Sequence, residues 1–205
     1  MTTRTLAVVT AGLSQPSSTR LLADRLAQAT ADELAAREIT ADVRTFELRD
    51  IAHDVVNMML TGFPSAALKD VLDTVTGADG VIAVTPLFTT SYSGLFKSFV
   101  DVLDKDSLAG MPVLLGATGG TPRHSLALEY SLRPLFTYLR ADVAGTAVFA
   151  ATDDWAGEAD AVNPLPGRIR RAGRELAEMV AARENSGPVD VFADAPSFAQ
   201  LLGDL

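Results

Sequence analysis

Short apolar runs alternate with stretches whose apolar residues recur every three or four positions, and this alternation predicts the elements. Thr5 to Thr10 reads as a first buried strand, followed by a turn over Ala11 to Pro16. A helix follows, capped by Ser17 or Ser18, with a stripe at Leu21, Leu22, Leu26 and Ala29, fading near Ala36. Thr40 to Glu47 alternates like a second strand. A short helix is expected over His53 to Leu60, broken by Gly62 and Pro64, and another capped by Ser65. Val81 to Thr85 is a third strand and Val113 to Thr118 a fourth, with a packed helix between them from Leu95 to Leu103. Ser125 to Arg140 reads as a helix that Pro134 bends or restarts, and Val143 to Phe149 as a fifth strand. Ala151 to Asn163 is acidic and loop-like, and Pro164 to Glu184 closes the pattern as a helix.

Strands alternating with helices imply a parallel, doubly wound sheet. Five strands on this length favour a flavodoxin-like α/β three-layer sandwich with strand order 2-1-3-4-5. The 205 residues are expected to form a single domain, 1–205, with its core over 4–184. The tail, 185–205, is apolar enough to pack on the body or on a partner subunit.

In that order the loops after strands 1, 3 and 4 meet on one rim, where open α/β sheets bind ligands. The first holds Ser14, Ser17, Ser18, Thr19 and Arg20 at a helix start. Free amides, a positive dipole and several hydroxyls there suit a phosphate, although a single capping serine would explain part of the pattern. The loop is neither Gly-x-Gly-x-x-Gly nor a P-loop. The second loop, Thr85 to Gly94, offers Pro86, Leu87, Phe88, Thr89, Ser91 and Tyr92, a mixture of rings and hydroxyls suited to a flat ligand with a polar tail. The third, Thr118-Gly119-Gly120-Thr121, allows backbone to approach a ring closely.

Composition narrows the chemistry. There is no cysteine, which removes disulfides, thiol catalysis and cysteine-ligated metals and fits a reducing cytoplasm. A net charge of −9 argues against nucleic acid. No apolar run is long enough to span a bilayer, and the first residues lead into a strand pattern without a signal peptide. The two histidines, His53 and His124, stand in unrelated contexts, and no metal constellation is expected.

The combination Ala11-Gly12-Leu13-Ser14 with Ser18-Thr19-Arg20-Leu21-Leu22, Thr85-Pro86-Leu87-Phe88 with Ser91-Tyr92-Ser93-Gly94-Leu95-Phe96-Lys97, and Ala117-Thr118-Gly119-Gly120 resembles the NAD(P)H-dependent FMN reductases. It is most similar to those supplying reduced flavin to two-component monooxygenases of the luciferase-like and alkanesulfonate types. The resemblance runs from about Thr5 to Ala150, and its middle motif is the most specific. It implies non-covalent FMN, NADPH or NADH as hydride donor, and a homodimer or homotetramer with flavin near the subunit interface. It also implies that Ser14, Ser18, Thr19 and Arg20 hold the phosphate, that Pro86 to Thr89 with Ser91 and Tyr92 line the flavin, and that Thr118, Gly119 and Gly120 approach its ring.

Many members carry an arginine shortly after the first-loop serine, where this chain has Gln15; Arg20 is the candidate replacement. If Arg20 does not replace it, weak flavin binding is expected, as suits an enzyme that releases its flavin. No side-chain acid or base is required, so no catalytic residue is assigned. His124 is a candidate for the nicotinamide end or simply a helix-start residue, Arg123 for an NADPH 2′-phosphate, and His53 for the surface. Three other readings remain: a quinone or azo reductase retaining FMN, a flavodoxin-like electron carrier, and a non-flavin phosphate-ligand domain.

Overall fold

The computed structural model describes residues 2–156 and 162–183. The tail 185–205 therefore lies outside the described residues. The strands are β1 (Thr2–Thr10), β2 (Ile39–Glu47), β3 (Gly80–Phe88), β4 (Ser91–Tyr92), β5 (Pro112–Gly119), β6 (Asp142–Val143) and β7 (Val148–Ala151). The helices are α1 (Ser18–Ala35), α2 (Ala52–Thr61), α3 (Ala66–Gly77), α4 (Gly94–Asp101), α5 (Arg133–Tyr138), α6 (Thr152–Ala156) and α7 (Leu165–Ala182).

The sheet runs β2-β1-β3-β5-β6, with β7 also parallel to β5 and β4 antiparallel to β3. This is the expected 2-1-3-4-5 order of positions, with two departures. The fifth position, expected as one strand over Val143 to Phe149, is split into β6 and β7. The cause is local: the Ala144 and Gly145 carbonyls accept from the Arg133 guanidinium, and Thr146 is held by both carboxylate oxygens of Glu175 at 2.6 Å. Those bonds hold Gly145 and Thr146 off the ladder, while the Ala144 amide still donates to the Val113 carbonyl at 2.9 Å. The other addition is β4, which folds back on β3 through a two-residue turn at Thr89 and Thr90, both at positive φ (50° and 70°).

Each strand's alternate side chains feed two separate cores, as the two-residue period requires. Leu6, Val8, Ile82, Val84, Leu114 and Val148 pack against α1 and α7. Ala7, Val9, Val81, Ala83, Val113 and Leu115 pack against α2, α3, α4 and α5. Gly173 of α7 sets the α1–α7 distance: a Cβ there would lie 2.8 Å from the Ala29 Cβ.

Local chemistry starts and stops the helices. Ser17, Ser65 and Ser93 cap α1, α3 and α4 through bonds from the Arg20, Leu68 and Phe96 amides. Gly62 ends α2 in the left-handed conformation. The helix expected from Ser125 to Arg140 is broken into a π-turn, Leu128–Leu132, and α5, which restarts at Arg133 because Pro134 cannot donate in a continuous ladder. The acidic segment after β7 was expected as loop, yet its first residues form α6. Among the described residues no helix is long and apolar enough to cross a membrane.

Candidate functional site

The carboxyl ends of β1, β3, β5 and β7 enclose a cleft of about 540 Å³. Three of its walls are the three loops singled out in the sequence. Ser14, Ser18 and Thr19 line it from the first, Pro86, Leu87 and Phe88 from the second, and Thr118, Gly119 and Gly120 from the third. A buried bond between the hydroxyls of Thr19 and Thr118, 2.8 Å, ties the start of α1 to the end of β5 and fixes the spacing of these walls.

The hydroxyls of the first loop divide their labour. Ser17 is spent on the cap and Thr19 on Thr118, leaving Ser14 and Ser18 exposed at the cleft. The amides of Ser18 and Thr19 fall in the first helical turn, where the helix itself offers no acceptor. Gly12 makes this turn possible, because a Cβ there would sit 2.0 Å from the Ser17 Oγ. At the end of β1, Thr10 has a buried hydroxyl with no partner among the described residues.

Arg20 does not line the cleft. Its guanidinium donates to Asp24 at 2.7 Å and Glu47 at 2.8 Å, and these bonds, the one to Asp24 foremost, raise its pKa. Arg20, expected at the phosphate, sits in the first turn of α1 with its guanidinium turned to Asp24 and Glu47. Arg49 reaches the loop backbone, donating to the Ser14 carbonyl at 3.4 Å, and shares Glu47 with Arg20. With its amide turned to the bonded orientation, Gln15 also accepts from Arg49.

The second loop is more ordered than expected. Pro86-Leu87-Phe88 extends β3 beyond the expected end at Thr85. Pro86 is tolerated because the pairing with β1 ends at Thr10 and Val84, so its missing N–H costs no ladder bond. The buried Thr85 hydroxyl accepts from the Ser93 amide, 3.1 Å, and closes the base of the hairpin. Thr89, Ser91 and Tyr92 are not among the lining residues; the Tyr92 ring lies 6.3 Å from Phe96 and packs on the core under the hairpin. In the third loop, a Cβ on Gly119 would strike the Phe149 ring at 2.9 Å, whereas Gly120 faces open space. Arg123 is exposed and His124 half-buried on the 3-10 turn Pro122–His124, and neither lines the cleft. His53 is exposed on α2.

The fourth wall was missed. Thr152 and Trp155 of α6 also line the cleft. Trp155 is the single tryptophan of the chain, and that was the available signal. Among the described residues no titratable side chain lines the cleft, and no cluster of three or more His, Asp or Glu is placed to hold a metal. Neutral donors and a helix N-terminus on one side, with apolar walls and an open glycine on the other, fit a phosphorylated planar ligand.

Comparison with known proteins shows the family of the chain. Residues 4–156 match the family described as NADPH-dependent FMN reductase. FMN reductase (NADPH) of Pseudomonas aeruginosa is 36% identical over 175 residues, covering 85% of this chain and 91% of that protein. NADH-dependent FMN reductase SfnE of Pseudomonas putida is 32% identical over 171 residues, 83% of this chain and 89% of that protein. An oxidoreductase from Corynebacterium diphtheriae, solved by X-ray crystallography, superposes with a TM-score of 0.85 at 43% identity, covering 89% of this chain and 100% of that one.

Proposed function

Because the chain belongs to the NADPH-dependent FMN reductase family, we propose that it is an NAD(P)H:FMN oxidoreductase whose flavin occupies the cleft between β1, β3, β5 and α6. The observation that carries the reading is the pairing of exposed Ser14 and Ser18 with the first-turn amides of α1, on the same cleft as Pro86–Phe88 and Thr118–Gly120.

FMN, when bound, supplies the hydride acceptor, and a reduced nicotinamide supplies the hydride. The chain's own residues bind and orient. Ser14, Ser18 and the Ser18 and Thr19 amides hold the phosphate, and the helix dipole favours its charge. Pro86, Leu87 and Phe88 cover the ring on one side. The Thr19–Thr118 bond keeps the phosphate end and the ring end at a fixed separation. Gly120, with open space where a side chain would stand, leaves room for a second ring. Thr89, Ser91 and Tyr92 serve at one remove, by shaping the hairpin that presents Phe88. The described lining residues position the rings for hydride transfer, which needs no protein acid or base.

Among the described residues the cleft is lined by neutral donors and no cation, which supports modest flavin affinity. Phosphate held by neutral donors and a dipole is held less tightly than by a guanidinium fork. This suits release of reduced FMN to a partner monooxygenase, with the chain acting as a homodimer or homotetramer. The test is to titrate flavin-free protein with FMN while following NADPH and NADH oxidation. Turnover that saturates with added FMN supports release. Ping-pong turnover with a quinone at tightly retained FMN supports the prosthetic alternative, and no FMN uptake defeats the reading.

A further inference from the structure

Trp155 reaches the cleft from outside the three motif loops. It follows β7, which pairs with β5 on the side away from β3. The helix carrying it is only five residues long and would not persist alone. Three contacts fix it. The Asp154 carboxylate accepts from the Ala151 amide at 2.8 Å and pairs with Arg168, its side chain only 7% exposed. Arg168 in turn donates to the Phe149 carbonyl at 2.5 Å and to the Asn163 carbonyl at 3.0 Å, which anchors α6 to β7 and to the approach of α7. From α1, the Arg25 guanidinium stands 5.1 Å from the centre of the indole, a cation–π contact.

These contacts orient a side chain at the margin of the α1–α7 core. Trp155 is only half-buried, touches the α1–α7 core from its margin, and faces the cleft together with Thr152. It is the second aromatic wall of that cleft. Phe88, 48% exposed, stands at the end of β3, and Trp155 stands past β7, with Thr118 and Gly119 at the end of β5 and Gly120 just beyond it. The hydroxyls and free amides suited to phosphate lie instead at the β1 loop. Both sets of groups line one cleft, joined by the Thr19–Thr118 bond.

We propose that Trp155 is a flavin-contacting residue that packs against the uncharged part of the ligand, and that Arg25 and the Asp154–Arg168 pair are positioning residues acting through it. The assignment rests on the reading of the cleft as the FMN site. Trp155 supplies apolar and π contact to the ligand's ring and ribityl portion, for which a ring of any flavin, phosphorylated or not, is the partner. Its contribution is therefore separable from that of Ser18, which serves the phosphate.

The experiment is equilibrium titration of the intact chain with FMN and with riboflavin, for the wild type, Trp155→Leu, Trp155→Phe and Ser18→Ala, with thermal midpoints in parallel. Trp155→Leu is expected to weaken both flavins by the same factor, about tenfold. Trp155→Phe restores most of that loss, and Ser18→Ala weakens FMN while leaving riboflavin alone. Wild-type affinity for both flavins in Trp155→Leu overturns the assignment, whereas a wild type that binds neither flavin defeats the functional reading instead. Should Trp155→Leu fail to fold, two measurements decide. Arg25→Met, which keeps the indole, is expected to weaken both flavins about threefold. Saturating FMN is expected to slow N-bromosuccinimide oxidation of Trp155 in the wild type, and undiminished oxidation with FMN bound overturns the assignment.

Discussion

At the amino-terminal edge of the sheet Asp79 is 5% exposed and both of its oxygens are engaged, whereas at the carboxyl edge Ser14 and Ser18 stand in solvent beside unpaired helix amides. The first edge is closed on itself. Arg4 donates to Asp79 at 2.7 Å and to the Arg183 carbonyl at 2.6 Å, the Thr5 amide donates to Asp79 at 2.8 Å, and Arg183 donates to the Ala78 carbonyl at 2.9 Å. This knot joins the start of β1, the approach to β3 and the end of α7. Polar groups of similar kinds thus do opposite work on one sheet. Where they satisfy each other they fasten the ends of elements, and where the fold leaves them unsatisfied they remain for a ligand.

The largest effect should come from untying the closed edge. Asp79→Ala leaves the Arg4 guanidinium, 16% exposed, without its carboxylate and strands the Thr5 amide. Breaking a buried pair in this way costs about 3–5 kcal/mol, a fall in thermal midpoint on the order of 10 °C. FMN affinity of the molecules that remain folded should be unchanged. A flavin affinity that falls together with stability would mean that the two edges are coupled, and the contrast between them would fail.

At the open edge the expectation reverses. Ser18→Ala removes one neutral donor to a dianionic group, a bond of about 1.5–3 kcal/mol, so FMN dissociation should rise on the order of tenfold or more. Because the Ser18 side chain is exposed and Ser17 performs the capping, the thermal midpoint should move by about 1 °C or less. Isothermal titration and thermal denaturation of the same preparation check both halves.

How these edges were legible in the sequence differs. The β1, β3 and β5 runs are continuously apolar, as strands buried on both faces must be, and their following loops could be brought together by topology alone. Ser17, Ser65 and Ser93 stand one residue before helical patterns, and caps are local chemistry. What escaped depends on contacts distant in sequence. Arg20 is a plausible phosphate ligand until Glu47, 27 residues away, is seen to hold it. The split of the fifth strand needs Arg133 and Glu175, neither adjacent to it in sequence. The wall made by α6 depends on Arg168 and Arg25, on two different helices. The Thr89–Thr90 turn lacks the Asn-Gly signature of a two-residue hairpin, so β4 gave no signal.

That turn sharpens the comparison, because the open edge also tolerates backbone strain. Thr90, β-branched, is held at φ 70°, a conformation costing such a residue about 1–2 kcal/mol. Thr90→Gly should therefore raise stability by about 1 kcal/mol, read as a higher denaturant midpoint at constant slope. A loss of stability would show that the Thr90 side chain makes contacts outweighing the strain.

The smallest effect belongs to a polar pair at neither edge. Glu129 accepts from Arg133 at 2.5 and 3.0 Å, and these bonds hold its carboxyl below the ordinary glutamate range. Its side chain is 47% exposed, so solvent screens most of the gain and the pair contributes about 0.5 kcal/mol or less. A carboxyl whose pKa is lower folded than unfolded stabilises fully above the unfolded value, and the gain disappears as pH falls through the folded one. The stability difference between wild type and Glu129→Gln should accordingly be present at neutral pH and close as pH drops below about 4. Arg133 keeps its bonds to the Ala144 and Gly145 carbonyls in the variant, so the split between β6 and β7 should survive. If Glu129→Gln cost as much as Asp79→Ala, pairing itself rather than burial of the pair would set the stability of this fold.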